Sequence, residues 1–188
     1  PNPYRGEKGI STQFGIASLR VPSAIYQALR ISKYGDNICE IGPGLGRTAY
    51  FATLLGVKKY TLVDIPVSSL VQGYFLLASQ VKTKFIFNGE NESDYGLHFK
   101  TPSTFLSSSE RYDLVLNVDS LTEIGIDAAR AYLKEIINRA EYFLSINHEE
   151  NEFSMRELST EFPELQLVER SRSWVRPGYV EELYKIIV

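Results

Sequence analysis

The ten residues Asn37-Ile38-Cys39-Glu40-Ile41-Gly42-Pro43-Gly44-Leu45-Gly46 constrain the fold of this chain more than any others. They read as a short buried strand carrying an acidic residue, three glycines in alternation, and a helix beginning near Arg47. Glycine has no Cβ and accepts φ > 0, so such a turn brings backbone close to a bound molecule. The helix that follows aims its positive end at the same place. A strand–turn–helix unit of this kind belongs in an α/β sheet that binds its ligand at the carboxyl ends of the strands.

The alternation continues along the chain. Residues 1–20 have little period and read as loop. Pro22 and Ser23 mark a helix start, with Ile25, Tyr26, Leu29 and Ile31 as an apolar face through about Lys33. After the strand Ile38–Ile41, a helix from Arg47 to Leu55 is expected to turn Phe51, Leu54 and Leu55 inward. Tyr60–Asp64 is a second strand ending on a carboxylate. Ile65-Pro66 then opens a helix with Val67, Leu70, Val71, Tyr74 and Leu77 at helical spacing. Phe85–Phe87 and Leu97–Lys100 compete for the third core strand, the other being an added edge. Tyr112–Asn117 is near-continuously apolar, as in a parallel strand covered on both faces.

Asp127 reads as the N-cap of a helix to about Glu141, with Tyr132, Leu133, Ile136 and Ile137 buried. Tyr142–Ile146 is a fifth strand, with the polar stretch Asn147–Asn151 beyond its end. Phe153–Phe162 is helical and Pro163 stops it. Leu165–Val168 and Glu182–Val188 are two final strands with only a loop between them. Parallel neighbours need a longer crossover, so the last strand is antiparallel. Two regions are expected: 1–35, a loop and helix acting as lid or cap, and 36–188, the α/β domain.

The 188 residues suit one core. Net charge is −3 and no long basic run occurs, so the electrostatic footprint of a nucleic-acid partner is missing. The single cysteine, Cys39, reads as a small buried hydrophobe in a reducing, cytoplasmic compartment. No apolar run reaches ~18 residues, so no membrane span is expected, and no signal-peptide pattern is visible. The chain opens on Pro1 rather than Met, which leaves room for a preceding segment.

Polar residues gather after four successive strands: Glu40 and the glycines, Asp64, Asn117–Glu123, and Asn147–Glu150. Asp64 stands 22 residues past Gly42. A carboxylate about 20 residues beyond a glycine turn suits a ribose hydroxyl pair, although Asp64 alone also reads as a helix-start cap. In Gly42-x-Gly44-x-Gly46, Arg47 occupies the position where a dinucleotide fingerprint needs glycine. The spacing thus argues for an adenosine-type ligand and against a dinucleotide.

Glu40–Gly46 with Leu62-Val63-Asp64 resembles the first two motifs of class I S-adenosylmethionine-dependent methyltransferases. The resemblance spans nearly all of residues 36–188. It implies a Rossmann-like open seven-stranded sheet, mostly parallel with an antiparallel last strand and helices on both faces. A narrower similarity joins Tyr112–Ile124, Tyr142–Asn147 and Trp174-Val175-Arg176-x-Gly178-Tyr179 to a family of sugar O-methyltransferases. Ile124 stands where that family has Met, and Pro43 lies inside the glycine loop. The Asn/Asp-Pro-Pro-Tyr/Phe signature of enzymes that methylate amino groups on bases is absent; Asn117-Val118-Asp119-Ser120 stands there.

By position, the resemblance implies that Gly42, Gly44 and Gly46 pass the methionine part of the cofactor, with Glu40 holding that loop or the cofactor's amino group. Asp64 would accept from the ribose hydroxyls. Ile65 and Thr101, the latter 12 residues before Asp113, would flank the adenine. Asn117 would line the floor near the sulfonium. Transfer to a hydroxyl benefits from a base. His148, just past the fifth strand, is the first choice, histidine being the residue type suited to general-base work at neutral pH. Asp119 and Glu123 are alternatives. Ser120, Glu123, Trp174 and Arg176 fall on the acceptor side.

Asp119, Glu123, His148, Glu149 and Glu150 supply hard ligands of the kind Mg²⁺ takes, but their spacing gives a metal no support. The expected activity is S-adenosylmethionine-dependent O-methylation of a sugar or glycoconjugate small molecule, yielding S-adenosylhomocysteine. Competing readings are a non-catalytic adenosyl-cofactor-binding module and an NAD(P)-dependent oxidoreductase. The sequence is silent on oligomeric state.

Overall fold

The computed structural model describes residues 8–13, 15–18 and 20–187. In chain order the first elements are β1 (Gly9–Thr12), β2 (Gly15–Ser18), α1 (Val21–Ile31), β3 (Asn37–Ile41), α2 (Arg47–Leu54), β4 (Lys59–Val63), α3 (Pro66–Ala78) and β5 (Phe85–Ile86). There follow β6 (Gly96–Lys100), α4 (Pro102–Ser107), β7 (Tyr112–Val118), α5 (Ile126–Arg139), β8 (Ala140–His148), α6 (Met155–Ser159), β9 (Leu165–Arg172) and β10 (Tyr179–Ile186). Eight strands form one sheet in the order β5-β6-β4-β3-β7-β8-β10-β9. Neighbours run parallel except β10, which is antiparallel to both β8 and β9. The reversed final strand is therefore as the short β9–β10 connection requires.

Adjacent residues of each central strand face opposite layers. Ile38, Leu62, Leu114 and Leu116 pack with Ala28 and Ile31 of α1, Ala49 and Ala52 of α2, and Phe75 and Leu76 of α3. Cys39, Val63, Val115 and Phe143 pack with Phe105 of α4, Leu133 and Ile136 of α5, and Met155 and Leu158 of α6. The sheet is thus covered on both faces, and its strand order reverses between β3 and β7. That reversal leaves a crevice at the carboxyl ends of these two strands.

Several local expectations change. Gly9–Thr12 and Gly15–Ser18 pair as antiparallel strands, β1 with β2, where loop was expected; residues 1–7, 14 and 19 of that expectation lie outside the described residues. Of the two rival third strands, β6 pairs with β4 in the core and β5 is the added edge, giving eight strands rather than seven. Leu54 and Leu55 are exposed, and α2 instead buries Thr48, Ala49 and Ala52. The spaced apolar residues of α3 (Val67, Leu70, Val71, Tyr74 and Leu77) are exposed as well. Helix α2 turns small residues to the sheet, and α3 buries Gln72, Gly73, Phe75 and Leu76 instead of the spaced set. Gly125, at φ 88, is the N-cap of α5; Asp127 sits in the first turn. No helix among the described residues is long and apolar enough to cross a membrane.

Candidate active site

The glycine turn is built from three left-handed residues, Gly42 (φ 70), Gly44 (φ 58) and Gly46 (φ 77). Gly42 donates its N–H to Val63 O at 3.0 Å, and Gly46 donates to Pro43 O at 2.9 Å. A Cβ on Gly42 would meet Ser120 Oγ at 2.4 Å, whereas one on Gly44 would meet nothing within 4 Å. Gly44 is therefore the open point of the turn. It faces a cleft of ≈ 280 Å³ whose walls include Glu40, Thr48, Val118, Asp119 and Arg176.

Glu40 is 3% exposed. Burial, reinforced by the nearby Asp64 charge, pushes its carboxyl up to about 7 against the hydrogen bond it accepts from Tyr60. Asp64 is just past β4. Its Oδ1 accepts from Ile65 N at 2.8 Å and its Oδ2 from Gln72 Nε2 at 2.8 Å. Burial raises its carboxyl above the usual range. These bonds tie Asp64 to α3, but the N-cap of that helix is Ile65 and no side chain caps it, so Asp64 is not the cap residue. The same bonds leave lone pairs free for a further donor. Ile65 is 55% exposed, an apolar side chain beside that carboxylate. Thr101 is the N-cap of α4, its hydroxyl accepting from Thr104 N at 3.2 Å. Asp64, Ile65 and Thr101 follow strands on one side of β3, outside the walls of the ≈ 280 Å³ cleft.

Asn117 is wholly buried and does not line the cleft. Its Nδ2 donates to Ile41 O at 3.0 Å and to Ser120 Oγ at 2.5 Å, and its Oδ1 accepts from Asn147 Nδ2 at 2.9 Å. Ser120 also donates to Ile41 O, at 3.1 Å. Asn117 and Ser120 thus brace the glycine turn, and neither is among the residues lining the cleft. Asn147 extends the network to Ser145 and Thr122.

Asp119 is the acid that β7 delivers to the cleft. Its backbone is left-handed, φ 57, a conformation Asp tolerates better than most residues. Arg176 Nη1 donates to Oδ2 at 2.8 Å, and the Tyr179 hydroxyl donates to Oδ1 at 2.6 Å. Arg176 also lies over the Tyr179 ring, 3.7 Å from its centroid. Burial first, then Asp119, pushes the Tyr179 hydroxyl up to about 12, and Glu123 adds to the shift. Glu123 is itself exposed and is not among the residues lining the cleft.

His148 is the last residue of β8 rather than a loop residue, because β8 continues to pair with Tyr179. Its Nδ1 accepts from Glu150 N at 3.1 Å, and its Nε2 abuts Gly178. It is not among the residues lining the cleft. Trp174 is 69% exposed and packs edge-on against Tyr26, 5.4 Å between centroids. No three or more His, Cys, Asp or Glu side chains among the described residues are grouped to hold a metal ion.

Sequence reasoning passed over Arg20, Ser23 and Gln27, which α1 and the residue before it bring to the cleft. Their spacing put three polar side chains on one helical face. The apolar stripe of Ile25 and Leu29 drew attention to the opposite one, and both of those side chains are exposed.

No protein-family model and no curated protein sequence matches the chain. Solved structures of the same fold are numerous. A protein from Pyrococcus horikoshii OT3 superposes with a TM-score of 0.69 at 10% identity, over 94% of this chain and 95% of that one. Magnesium protoporphyrin IX methyltransferase from Synechocystis PCC 6803, solved with S-adenosylmethionine bound, gives 0.61 at 14%, over 87% and 76%. The mitomycin 7-O-methyltransferase MmcR gives 0.67 at 16%, over 89% of this chain and 54% of that one. The chain has the Rossmann-like methyltransferase fold. Within that fold the named acceptors differ widely, so the likeness leaves the acceptor open.

Proposed function

We propose that this protein is an S-adenosylmethionine-dependent O-methyltransferase acting on a hydroxyl of a sugar or sugar-containing small molecule. The observation that carries the reading is one cleft, at the strand-order reversal, bounded by both the glycine turn and Asp119. The residues present suit the cofactor. Gly44 leaves the turn open where a Cβ would project, and Glu40 offers a buried carboxylate with one oxygen bonded to Tyr60. In this reading Glu40 meets the ammonium of the methionine part, and Gly42, Gly44 and Gly46 shape the backbone beside it. Asp64 accepts from the ribose hydroxyls, with Ile65 and Thr101 flanking the adenine. The cofactor supplies an electrophilic methyl group on sulfur.

The remaining chemistry belongs to the chain. A neutral hydroxyl is a weak nucleophile, and a positioned base contributes ~10²–10⁴-fold. Asp119 takes that role in place of His148, since it lines the cleft and His148 does not. Arg176 and Tyr179 orient its two oxygens, and Asp119 would take the proton of the acceptor's hydroxyl. Alignment of the acceptor oxygen with the methyl group accounts for much of the remaining gain. The walls Ser23, Gln27, Asp119 and Arg176 are polar, which supports a hydroxylated acceptor over a flat aromatic one. Net charge −3 supports a small molecule over a nucleic acid.

Calorimetry with S-adenosylhomocysteine against NAD tests the cofactor. Binding of S-adenosylhomocysteine and not NAD is expected; NAD alone would overturn the reading. Asp119→Ala separates an enzyme from a non-catalytic binding module: turnover is lost while S-adenosylhomocysteine still binds.

A further inference from the structure

We infer that the outward face of α3 is the interface of a symmetric dimer, closed by the same face of a second copy of this chain with the two helices antiparallel. The inference is independent of the cofactor and of the acceptor.

Three observations carry it. First, the face is apolar along the whole helix. Val67, Leu70, Tyr74 and Leu77 are each more than half exposed, and Val71 is exposed beside them. The inward side of α3 already places Phe75 and Leu76 in the core, so the outer stripe is not what holds the helix to the sheet. The five residues expose on the order of 600 Å², the upper end of what a monomer leaves in one patch and close to the roughly 800 Å² that each partner buries in a standard interface. Phe87 widens the patch on the β5 side: it is exposed, and a Cβ on Gly73 would meet its ring at 3.1 Å.

Second, the face offers no charge to a different partner. Residues 65–81 hold no Asp, Glu, Lys, Arg or His, in a chain of which 23% of residues are charged. An acidic or basic protein therefore finds no complementary group on the helix. A lipid surface fits no better. Helices that lie on membranes carry Lys and Arg on their polar face, and the polar residues of this one are Ser68, Ser69 and Gln72. Two copies of α3 meet without like-charge repulsion.

Third, the spacing is self-complementary. Positions 67, 70, 74 and 77 follow the three-four-three rhythm of a coiled-coil seam. The same set reads alike in both directions about Gln72. A two-fold axis at that level sets Val67 of one copy against Leu77 of the other, and Leu70 against Tyr74. Apolar meets apolar at each level, and one patch serves both copies, as a two-fold interface requires.

Sedimentation equilibrium of the full chain at micromolar concentrations tests this. A reversible dimer is expected, weakened at least about tenfold in Leu70→Glu, which sets an unpaired carboxylate in the apolar seam. Tyr74→Lys alone should weaken it likewise. Leu29→Glu, which alters an exposed leucine on α1, should leave it unchanged. A mixture of Leu70→Glu and Tyr74→Lys should associate again, because the antiparallel register sets the new acid of one copy against the new base of the other. A monomer at every concentration, a dimer that Leu70→Glu leaves as tight as before, or variants that stay apart on mixing overturns the inference. Leu70 is exposed, so its variant is expected to fold, and a melting curve checks this. Should it unfold, Val67→Glu reports on the same seam.

Discussion

Tyr60 on β4 donates its hydroxyl to Glu40 Oε2 on the neighbouring strand β3 at 2.7 Å, with both side chains almost wholly buried. The bond favours the ionised carboxylate, yet burial outweighs it and the carboxyl sits at about 7 rather than 4.5. Between those values the folded protein keeps a proton that the unfolded chain releases. Stability from this group is therefore present at low pH and declines as pH rises toward 7, by about 3 kcal/mol in all. Urea melts between pH 5 and 8 should show the decline in the ligand-free protein. Glu40→Gln should flatten it, and Tyr60→Phe should move it to higher pH. If the decline persists in Glu40→Gln, Glu40 is not its source.

Glu110 has the opposite sign. It accepts from Lys100 Nζ at 2.6 Å and from the Tyr112 hydroxyl at 2.8 Å, and pairs with Lys59. Its carboxyl is half-buried, but these donors overcome the burial and pull it down to about 2. Its contribution is complete above pH 4.5 and is lost as pH falls toward 2. Glu110→Gln should lower stability at pH 7 and make the acid limb shallower. An acid limb with unchanged slope would show that other carboxylates govern it.

Two glycines of the turn, Gly42 and Gly44, should respond differently to the same methyl group. Gly42→Ala combines a left-handed φ with a clash against Ser120 and is expected to cost about 2–4 kcal/mol. Gly44→Ala has the strained φ but open space, so about 1–2 kcal/mol is expected. Denaturant melts give both values. Equal losses would mean that Ser120 yields freely.

Tyr179→Phe removes one of the two donors that orient Asp119 and leaves Arg176 in place. If Asp119 is the base, turnover falls while affinity for S-adenosylhomocysteine is unchanged. Asp119→Asn should reduce turnover further. A turnover unaffected by both variants removes Asp119 from the chemistry.

The parallel core was legible because its strands are buried on both faces and read as apolar runs, Tyr112–Val118 above all. The glycine turn was legible because three left-handed backbones in five residues leave little choice but glycine. Elsewhere the deciding contacts were distant in sequence. His148 belongs to β8 only because Tyr179, far along the chain, pairs with it. Asn117 and Ser120 looked like ligand-facing groups. Their partners, Ile41 O and Asn147, make them braces of the turn instead. Helices α1 to α3 bury Ala28, Ala49, Ala52 and Gly73 beside Ile31, Phe75 and Leu76, while other large apolar residues such as Leu29, Leu54 and Leu70 face outward. Hydrophobic periodicity weights the larger side chains and so selects the outer face.

β10 enters the sheet from the end at which β7 and β8 leave it, so residues 173–178 form a hairpin tip beside the cleft rather than a helical crossover. Each of the other strand ends at the cleft continues into helical structure that also holds up the core. The hairpin tip carries no such duty. It can be lengthened, shortened or exchanged without rethreading the chain, and Arg176 travels with it. Length and sequence can therefore vary at residues 173–178 with little consequence for the sheet, and with them the groups that this tip presents to the cleft.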